Sequence, residues 1–236
     1  MTVSLVIPAY RERGRIGATL AHVVEYLSAQ PYDWEVLVVI DDGDDDETAA
    51  EARAAAGGSP QVRVLVNDAN RGKGFSVRRG FAEAHGDLKV FIDADLSLPV
   101  EGLAAMCERF AAGADVVIAS RSVPGAREIG APPPLRRVMS RVFNWLVQVL
   151  AVRGLRDTQC GFKGFTAAAA STIFARQRSD RFGFDVEALF LARRHGYRID
   201  EIPVTCVYRA ESSVNRLGDA FSMLRDVLTV RWRHRQ

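Results

Sequence analysis

Two largely apolar runs in this chain each end in paired acidic residues, and that recurrence restricts the available folds more than any other feature. Residues 36–40 lead into Asp41-Asp42, and residues 88–92 lead into Asp93-Ala94-Asp95. Short apolar runs of this kind read as strands buried on both faces, as in a parallel sheet. Two such strands predict one acidic rim at the carboxyl edge of the sheet, where open α/β sheets bind ligands. Side chains alternate along an extended chain, so Asp93 and Asp95 are expected to point the same way and can share one hard cation. Crowded carboxylates repel each other unless a metal, a donor or a basic partner compensates. The plainer alternative is a set of loop aspartates that cap the following helices.

The rest of the first half fits such a sheet. Residues 3–7 read as a strand closed by Pro8, and residues 16–27 place Ile16, Leu20, Val23, Val24 and Leu27 at helical spacing. A helix over 48–56, a strand over 62–66, a helix over 75–85, the strand over 88–92, a helix over 103–112 and a strand over 116–119 follow. Strands alternating with helices predict an α/β, Rossmann-like doubly wound and mostly parallel sheet with helices on both faces. After about residue 120 the pattern changes. Pro132-Pro133-Pro134 precedes a long helix over 135–152, and residues 153–166 read as turn-rich. Helices follow over 167–174 and 186–195, then an edge-like strand over 202–208 and a closing amphipathic helix over 217–232. No internal repeat or low-complexity linker divides the chain, so one domain over 1–236 is expected.

The net charge of +2 conceals an asymmetry. Residues 1–120 carry 11 Lys and Arg against 19 Asp and Glu, whereas residues 121–236 carry 20 against 10. An acidic half beside a basic half suits a metal site on one side and an anionic partner on the other. Cys107, Cys160 and Cys206 are widely spaced with no CxxC pair, which argues against a disulfide framework or a zinc site. The apolar stretch 142–152 is too short to span a bilayer. A cytoplasmic protein, peripheral at most to the inner face of a membrane, is the expectation.

The acidic half suits a nucleotide diphosphate. A divalent cation at Asp95 would offset the repulsion between phosphate oxygens and the neighbouring Asp93 and Asp42. Asp42 and Glu12 can accept hydrogen bonds from a base, and Tyr10 offers a face for stacking. Asn70-Arg71-Gly72-Lys73-Gly74 opens a helix whose N-terminus attracts anions, or is a plain turn and cap; its spacing is not that of a Walker loop. The basic half supplies Arg121, Arg136, Arg137, Arg156, Lys163, Arg209 and Arg216, and arginine suits bidentate phosphate contact. The helix from Leu135 has Val138, Met139, Val142, Phe143, Leu146, Val149 and Leu150 on one broad face, with Trp145 nearby. That face either packs on the core or meets lipid, with Arg136, Arg137 and Arg141 at headgroup level. Asp185 and Glu187 straddle a helix start, where either serves as a general base or favours the helix dipole.

Taken together, Pro8-Ala9-Tyr10-Arg11-Glu12, Asp41-Asp42-Gly43, Asn70-Arg71-Gly72-Lys73-Gly74, Asp93-Ala94-Asp95 and Ser120-Arg121 resemble, in order and spacing, the family 2 glycosyltransferases with the GT-A fold. Residues 156–163 and Phe184-Asp185-Val186-Glu187 resemble the dolichyl-phosphate β-glucosyltransferases and other polyprenyl-phosphate glycosyltransferases. The resemblance implies a nucleotide-sugar-binding half over 1–120 and an acceptor-binding half over 121–236. It implies that Pro8, Tyr10, Glu12, Ile40 and Asp42 hold base and ribose, that Asp93 and Ala94 meet the nucleotide sugar, and that Asp95 binds Mg²⁺ or Mn²⁺. Arg121 and Arg136 would meet the acceptor phosphate with Ser140 nearby, and Arg209 would meet the donor diphosphate. Three positions depart from the family's habit: Asp44 replaces a serine, Ser97 a glutamine, and Ser213 a lysine for which Arg216 is the candidate substitute.

The implied activity is inverting transfer of a hexose, glucose from a UDP-sugar in preference to a GDP-sugar, to a polyprenyl or dolichyl phosphate. A phosphate acceptor needs positioning more than deprotonation, whereas a soluble hydroxyl acceptor needs a base and points to Asp185. A nucleotidyltransferase and a catalytically inactive nucleotide-sugar-binding protein are the remaining rivals. Nucleic-acid binding is not expected, because aromatics do not interleave with the basic residues and the acidic rim repels phosphate.

Overall fold

The computed structural model describes residues 1–41, 46–130, 134–207 and 216–235; at 46, 134–137, 141 and 216–222 it describes the backbone only. Strand β1 (Thr2–Ala9) lies inside a seven-stranded sheet, hydrogen-bonded in parallel to β2 (Asp33–Ile40) on one side and β4 (Leu88–Ile92) on the other. Outside β2 runs β3 (Val62–Val66), also parallel. Helices α1 (Ile16–Ser28), α2 (Asp46–Ala56) and α3 (Lys73–Glu83) make the crossovers. The chain thus winds outward from β1 through β2 to β3, then returns to lay β4 on the other side of β1. That reversal opens a crevice above the carboxyl ends of β1 and β4, the place where such sheets bind ligands.

After β4 come α4 (Gly102–Ala111), β5 (Val116–Ser120), the short β6 (Arg127–Ile129) and the long α5 (Pro134–Leu150). Strand β7 (Phe162–Thr166) then inserts antiparallel between β4 and β5. Helices α6 (Ala167–Phe174) and α7 (Phe184–Arg194) lead to the edge strand β8 (Ile199–Pro203), to β9 (Thr205–Val207), which pairs with β6, and to α8 (Arg216–Arg233).

Alternation along the strands fills two cores. On one face Val3, Leu5, Ile7, Val90 and Ile92 pack with Ile16, Leu20 and Leu103 of the helices; on the other Val6, Leu37 and Phe91 pack with Phe81, Phe165, Phe174 and Phe184. In that second core the Phe81 and Phe174 rings meet edge-on at 4.7 Å, an arrangement their quadrupoles favour.

Three expectations need correction. The stretch 153–166 is not all turn, because β7 occupies its end and the middle of the sheet. Its glycine and lysine disguise it: Gly164 leaves room for the Phe110 ring, 3.0 Å from where a Cβ would stand, and Lys163 is fully buried. The strand read at 202–208 is two strands in different sheets, with Tyr208 outside the described residues. Helix α7 starts at Phe184 and not at Val186, so Asp185 and Glu187 lie within its first turn.

Candidate active site at the sheet crossover

Two strand-end loops wall the crevice. Beyond β1, Tyr10 carries the Arg11 guanidinium 5.1 Å from its ring centre, a cation–π distance. The Glu12 carbonyl accepts the Arg15 and Ile16 N–H groups that open α1. Beyond β4, a turn closes from the Leu96 N–H to the Asp93 carbonyl at 3.2 Å. The Thr19 hydroxyl holds the Ala94 carbonyl at 2.6 Å, and the Asp95 carboxylate accepts the Ser97 N–H at 2.8 Å. Arg11 (φ 54°) and Leu96 (φ 46°) are the non-glycine residues with left-handed backbone among those described, one in each loop. Such strain persists where surrounding structure over-determines it, often at functional sites. Burial pushes the Glu12 carboxyl up; Arg15 opposes the rise, and the charges of Asp95 and Asp93 add to it. The three carboxylates therefore share one field.

Beneath the rim lie two ion pairs. Asp93 does not share a cation with Asp95: its carboxylate meets the Lys73 ammonium at 2.5 Å. Lys163, wholly buried, donates to Asp185 at 2.5 Å and to the Cys160 carbonyl at 2.6 Å. Both ammonium groups lie close to the Phe91 ring, at 5.6 Å for Lys73 and 5.5 Å for Lys163. Burial pushes Lys73 down, but Asp93 and then Asp185 outweigh it and the net shift is upward. Asp93 itself is raised, by burial first, against the pull of Lys73. Two lysines and two aspartates thus form a compact neutral group under the crevice. Gly161 makes room for it, since a Cβ there would overlap the Asp93 carboxylate.

Asp41 serves a different purpose from Asp95. Buried at the end of β2, it accepts from Asn67 at 2.6 Å, from the Arg71 N–H at 3.0 Å and from the Gly72 N–H at 2.7 Å. It thereby clamps the loop that opens α3. Gly72 has φ 103°, and a Cβ there would strike the Asp180 carbonyl; one on Gly74 would stand 2.6 Å from the Ser179 carbonyl. These glycines admit the 179–181 backbone, and Lys73 between them reaches Asp93.

In the basic half, Arg121 is held by Asp157 through two side-chain contacts, Nε at 2.7 Å and Nη2 at 2.9 Å. Burial lowers the Arg121 pKa, but the hydrogen bonds and charge of Asp157 outweigh it, so the guanidinium stays charged. Asp157 is depressed in turn, because the Arg121 hydrogen bonds and charge exceed the penalty of burial. Glu201 on β8 fixes the same loop by accepting the Arg156 N–H. Along α5, Val138, Met139, Val142, Trp145 and Val149 are exposed, while Val147 is buried and Phe143 and Leu150 pack on the core. The broad apolar face thus divides between core and solvent. Among the described residues no helix is long and apolar enough to cross a membrane.

A model of the family described as glycosyl transferase family 2 matches residues 4–174, a span that contains both strand-end loops and the Lys73–Asp93 pair. The chain belongs to glycosyl transferase family 2. Within that family it is 31% identical to the human dolichyl-phosphate β-glucosyltransferase, covering 98% of this chain and 75% of that one. A dolichyl-phosphate β-glucosyltransferase of Trichomonas vaginalis is 34% identical over 85% of this chain, which spans 62% of that protein's length. The glycosyltransferase AglD of Haloferax volcanii is 34% identical, and this chain covers 37% of it. Among solved structures, glucosyl-3-phosphoglycerate synthase of Mycobacterium tuberculosis, crystallised with Mn²⁺, UDP and glucosyl-3-phosphoglycerate, superposes with a TM-score of 0.70 at 19% identity, over 98% of this chain and 79% of that one. The fold is the expected GT-A arrangement.

For this family 2 domain, the crevice brings together Tyr10, Glu12, Asp93, Ala94 and Asp95. Pro8 stands one residue before the end of β1. The Ile40 side chain is fully buried in the core. Asp42 and Arg209 lie outside the described residues, as does the side chain of Arg136. Among the described residues no group of three or more His, Cys, Asp or Glu could hold a metal alone. Asp93 is taken by Lys73, which leaves Asp95 as the rim carboxylate without an ion-pair partner among the described residues. One carboxylate completed by substrate phosphates and water is how Mg²⁺ is usually held, so the residues fit a divalent ion. From the sequence Asp41 reads as part of the acidic rim and not as a loop clamp, and Asp157 and Gly161 carry no role of their own. The spacing of Asp41 before Gly72 carries no local signal, and the others depend on contacts across the sheet.

Proposed function

We propose that this chain transfers glucose from UDP-glucose, with inversion, to a polyprenyl phosphate. The observation that carries this reading is Asp95, fixed by the Ser97 N–H at the crossover crevice and lacking the lysine that occupies Asp93. The names of the relatives support the acceptor class, and the UDP and metal complexes of the mycobacterial synthase support the donor. Tyr10 and Glu12, with Asp42, would seat the uridine, and Asp93 and Ala94 would face the sugar. Asp95 would hold Mg²⁺ or Mn²⁺, which when bound supplies charge neutralisation at the diphosphate leaving group. Arg121, kept charged and oriented by Asp157, would meet the acceptor phosphate together with Arg136, and Arg209 would meet the donor diphosphate.

A phosphate acceptor is already largely ionised near neutrality, with a second pKa of about 6, so positioning suffices. Asp185 fits that chemistry. It is buried and its oxygen is held by Lys163, a positioning role, whereas a hydroxyl acceptor requires a carboxylate accessible to the acceptor. The exposed stripe of α5 offers a face on which a lipid carrier can lie at the bilayer surface.

A panel of UDP- and GDP-sugars with Mg²⁺ or Mn²⁺, offered undecaprenyl phosphate and a soluble alcohol in parallel, tests the reading. Glucosyl transfer from UDP-glucose to the lipid phosphate is expected, with Asp185→Asn retaining the chemistry with this acceptor. Transfer to the alcohol alone, abolished by Asp185→Asn, would replace the proposal with the hydroxyl-acceptor reaction.

A further inference from the structure

Away from the crevice, a cleft of about 310 Å³ opens between the segment before α7 and the face of α8. Four arginines line it: Arg178, Arg181, Arg225 and Arg233. Its two acids are compensated by other groups. Asp180 pairs with Arg78 on α3 at 2.8 Å, and Asp226 pairs with Arg233 at 3.0 Å while accepting the Ser179 hydroxyl at 2.6 Å. The guanidinium groups of Arg178, Arg181 and Arg225 are left exposed, with no acidic partner among the described residues. Three unpaired cations around one concave surface repel each other unless an anion joins them.

We propose that this cleft is a second anion site, which binds a phosphate group through Arg178, Arg181 and Arg225. Guanidinium forks suit phosphate oxygens in a way that single ammonium groups do not. The segment that carries Arg178 and Arg181 is tied to α7, where Glu187 accepts the N–H groups of Arg178 and Ser179, and Arg225 comes from α8. Helix α8 gives the site a neighbour of a different kind. Leu228 and Trp232 are exposed at three and seven residues from Arg225, on the same side of the helix. A phosphate here therefore comes either from solution or from an anionic lipid headgroup whose chains lie along Leu228 and Trp232. The cleft shares no lining residue with the crevice, so the proposal stands or falls independently of the donor site.

The test uses the full chain in EDTA, so that no metal-bound phosphate enters the crevice. Radiolabelled phosphate and pyrophosphate binding is measured by equilibrium dialysis, and flotation is measured with phosphatidylcholine vesicles with and without phosphatidic acid. The triple variant Arg178→Gln/Arg181→Gln/Arg225→Gln is compared with Arg53→Gln/Arg109→Gln/Arg193→Gln, which removes equal charge from exposed sites elsewhere. Thermal melts confirm that both fold. Each arginine near an anionic surface contributes roughly fivefold, so the first triple variant should bind on the order of a hundredfold more weakly, and the second close to wild type. Loss confined to the dialysis arm assigns a soluble phosphate, and loss confined to flotation assigns the headgroup. Failure of the wild type to bind in either arm, or equal losses in both triple variants, would overturn the proposal.

Discussion

Replacing Lys163 with methionine keeps the length of the side chain and removes the charge that faces Asp185. Lys163 is wholly inaccessible and Asp185 is 4% exposed, so water cannot take over the lost interaction. The carboxylate then either remains ionised without a partner or takes up a proton. Breaking a buried ion pair in this way costs about 3–5 kcal/mol. Protonation sets a ceiling on that cost: neutralising an ordinary aspartate at pH 7 requires about 3 pH units at 1.36 kcal/mol each, or roughly 4 kcal/mol. The Cys160 carbonyl loses its donor as well, so about 4 kcal/mol is the expected loss. For a domain of this size each kcal/mol lowers the melting temperature by about 2–4 °C, so a fall of roughly 8–16 °C should appear by calorimetry or circular dichroism at pH 7. The sign with pH is fixed too. A carboxylate buried without a partner costs most while it is charged, so the variant's deficit is present at neutral pH and should shrink in acid. Adding Asp185→Leu removes the orphaned carboxylate and should restore most of the loss. A fall under about 3 °C, unchanged by acid and by the second substitution, would refute the claim that this pair is buried and coupled.

Gly161→Ala places a methyl group on the Asp93 carboxylate and should displace it from Lys73; glycosyl transfer should fall by at least tenfold while the fold persists, read by initial rates beside a far-ultraviolet spectrum. Burial pushes the Glu35 carboxyl up, but hydrogen bonds from the His85 N–H, the Ser4 hydroxyl and Arg63 overcome it and hold its pKa at about 2. Because that value is depressed, its stabilisation is present above the ordinary pKa and is lost as pH falls toward 2; Glu35→Gln should therefore melt less steeply between pH 5 and pH 3 than wild type. Val142→Glu/Trp145→Glu puts two charges on the exposed stripe of α5 and should abolish flotation with liposomes without lowering the melting temperature; unchanged flotation would remove that face from membrane contact.

The periodicities of the first half carried most of the fold. Apolar runs buried on both faces and helices of regular spacing are local signals, and β1 through β5 lie where those signals put them. β7 escaped because its evidence is non-local: Lys163 is polar in isolation and becomes a core residue only through Asp185 on a distant helix. The acidic rim was legible as a cluster, since Asp93 and Asp95 end a strand, but the division of labour within it was not. Lys73 reaches Asp93 from another crossover, while Asp95 accepts the Ser97 N–H. Asp41 belongs to the same sequence pattern, yet it clamps a loop, which follows from where Asn67, Arg71 and Gly72 stand in space. Arg121 stood out as a candidate phosphate ligand by residue type, whereas its orienting partner Asp157 comes from 36 residues away.

Manganese anomalous diffraction from crystals soaked with UDP and Mn²⁺ bears most directly on the role given to Asp95. One strong peak is expected in contact with both the Asp95 carboxylate and the diphosphate, and it should vanish in Asp95→Asn crystals grown and soaked identically. A peak bound elsewhere, or one that survives the substitution, would contradict the account.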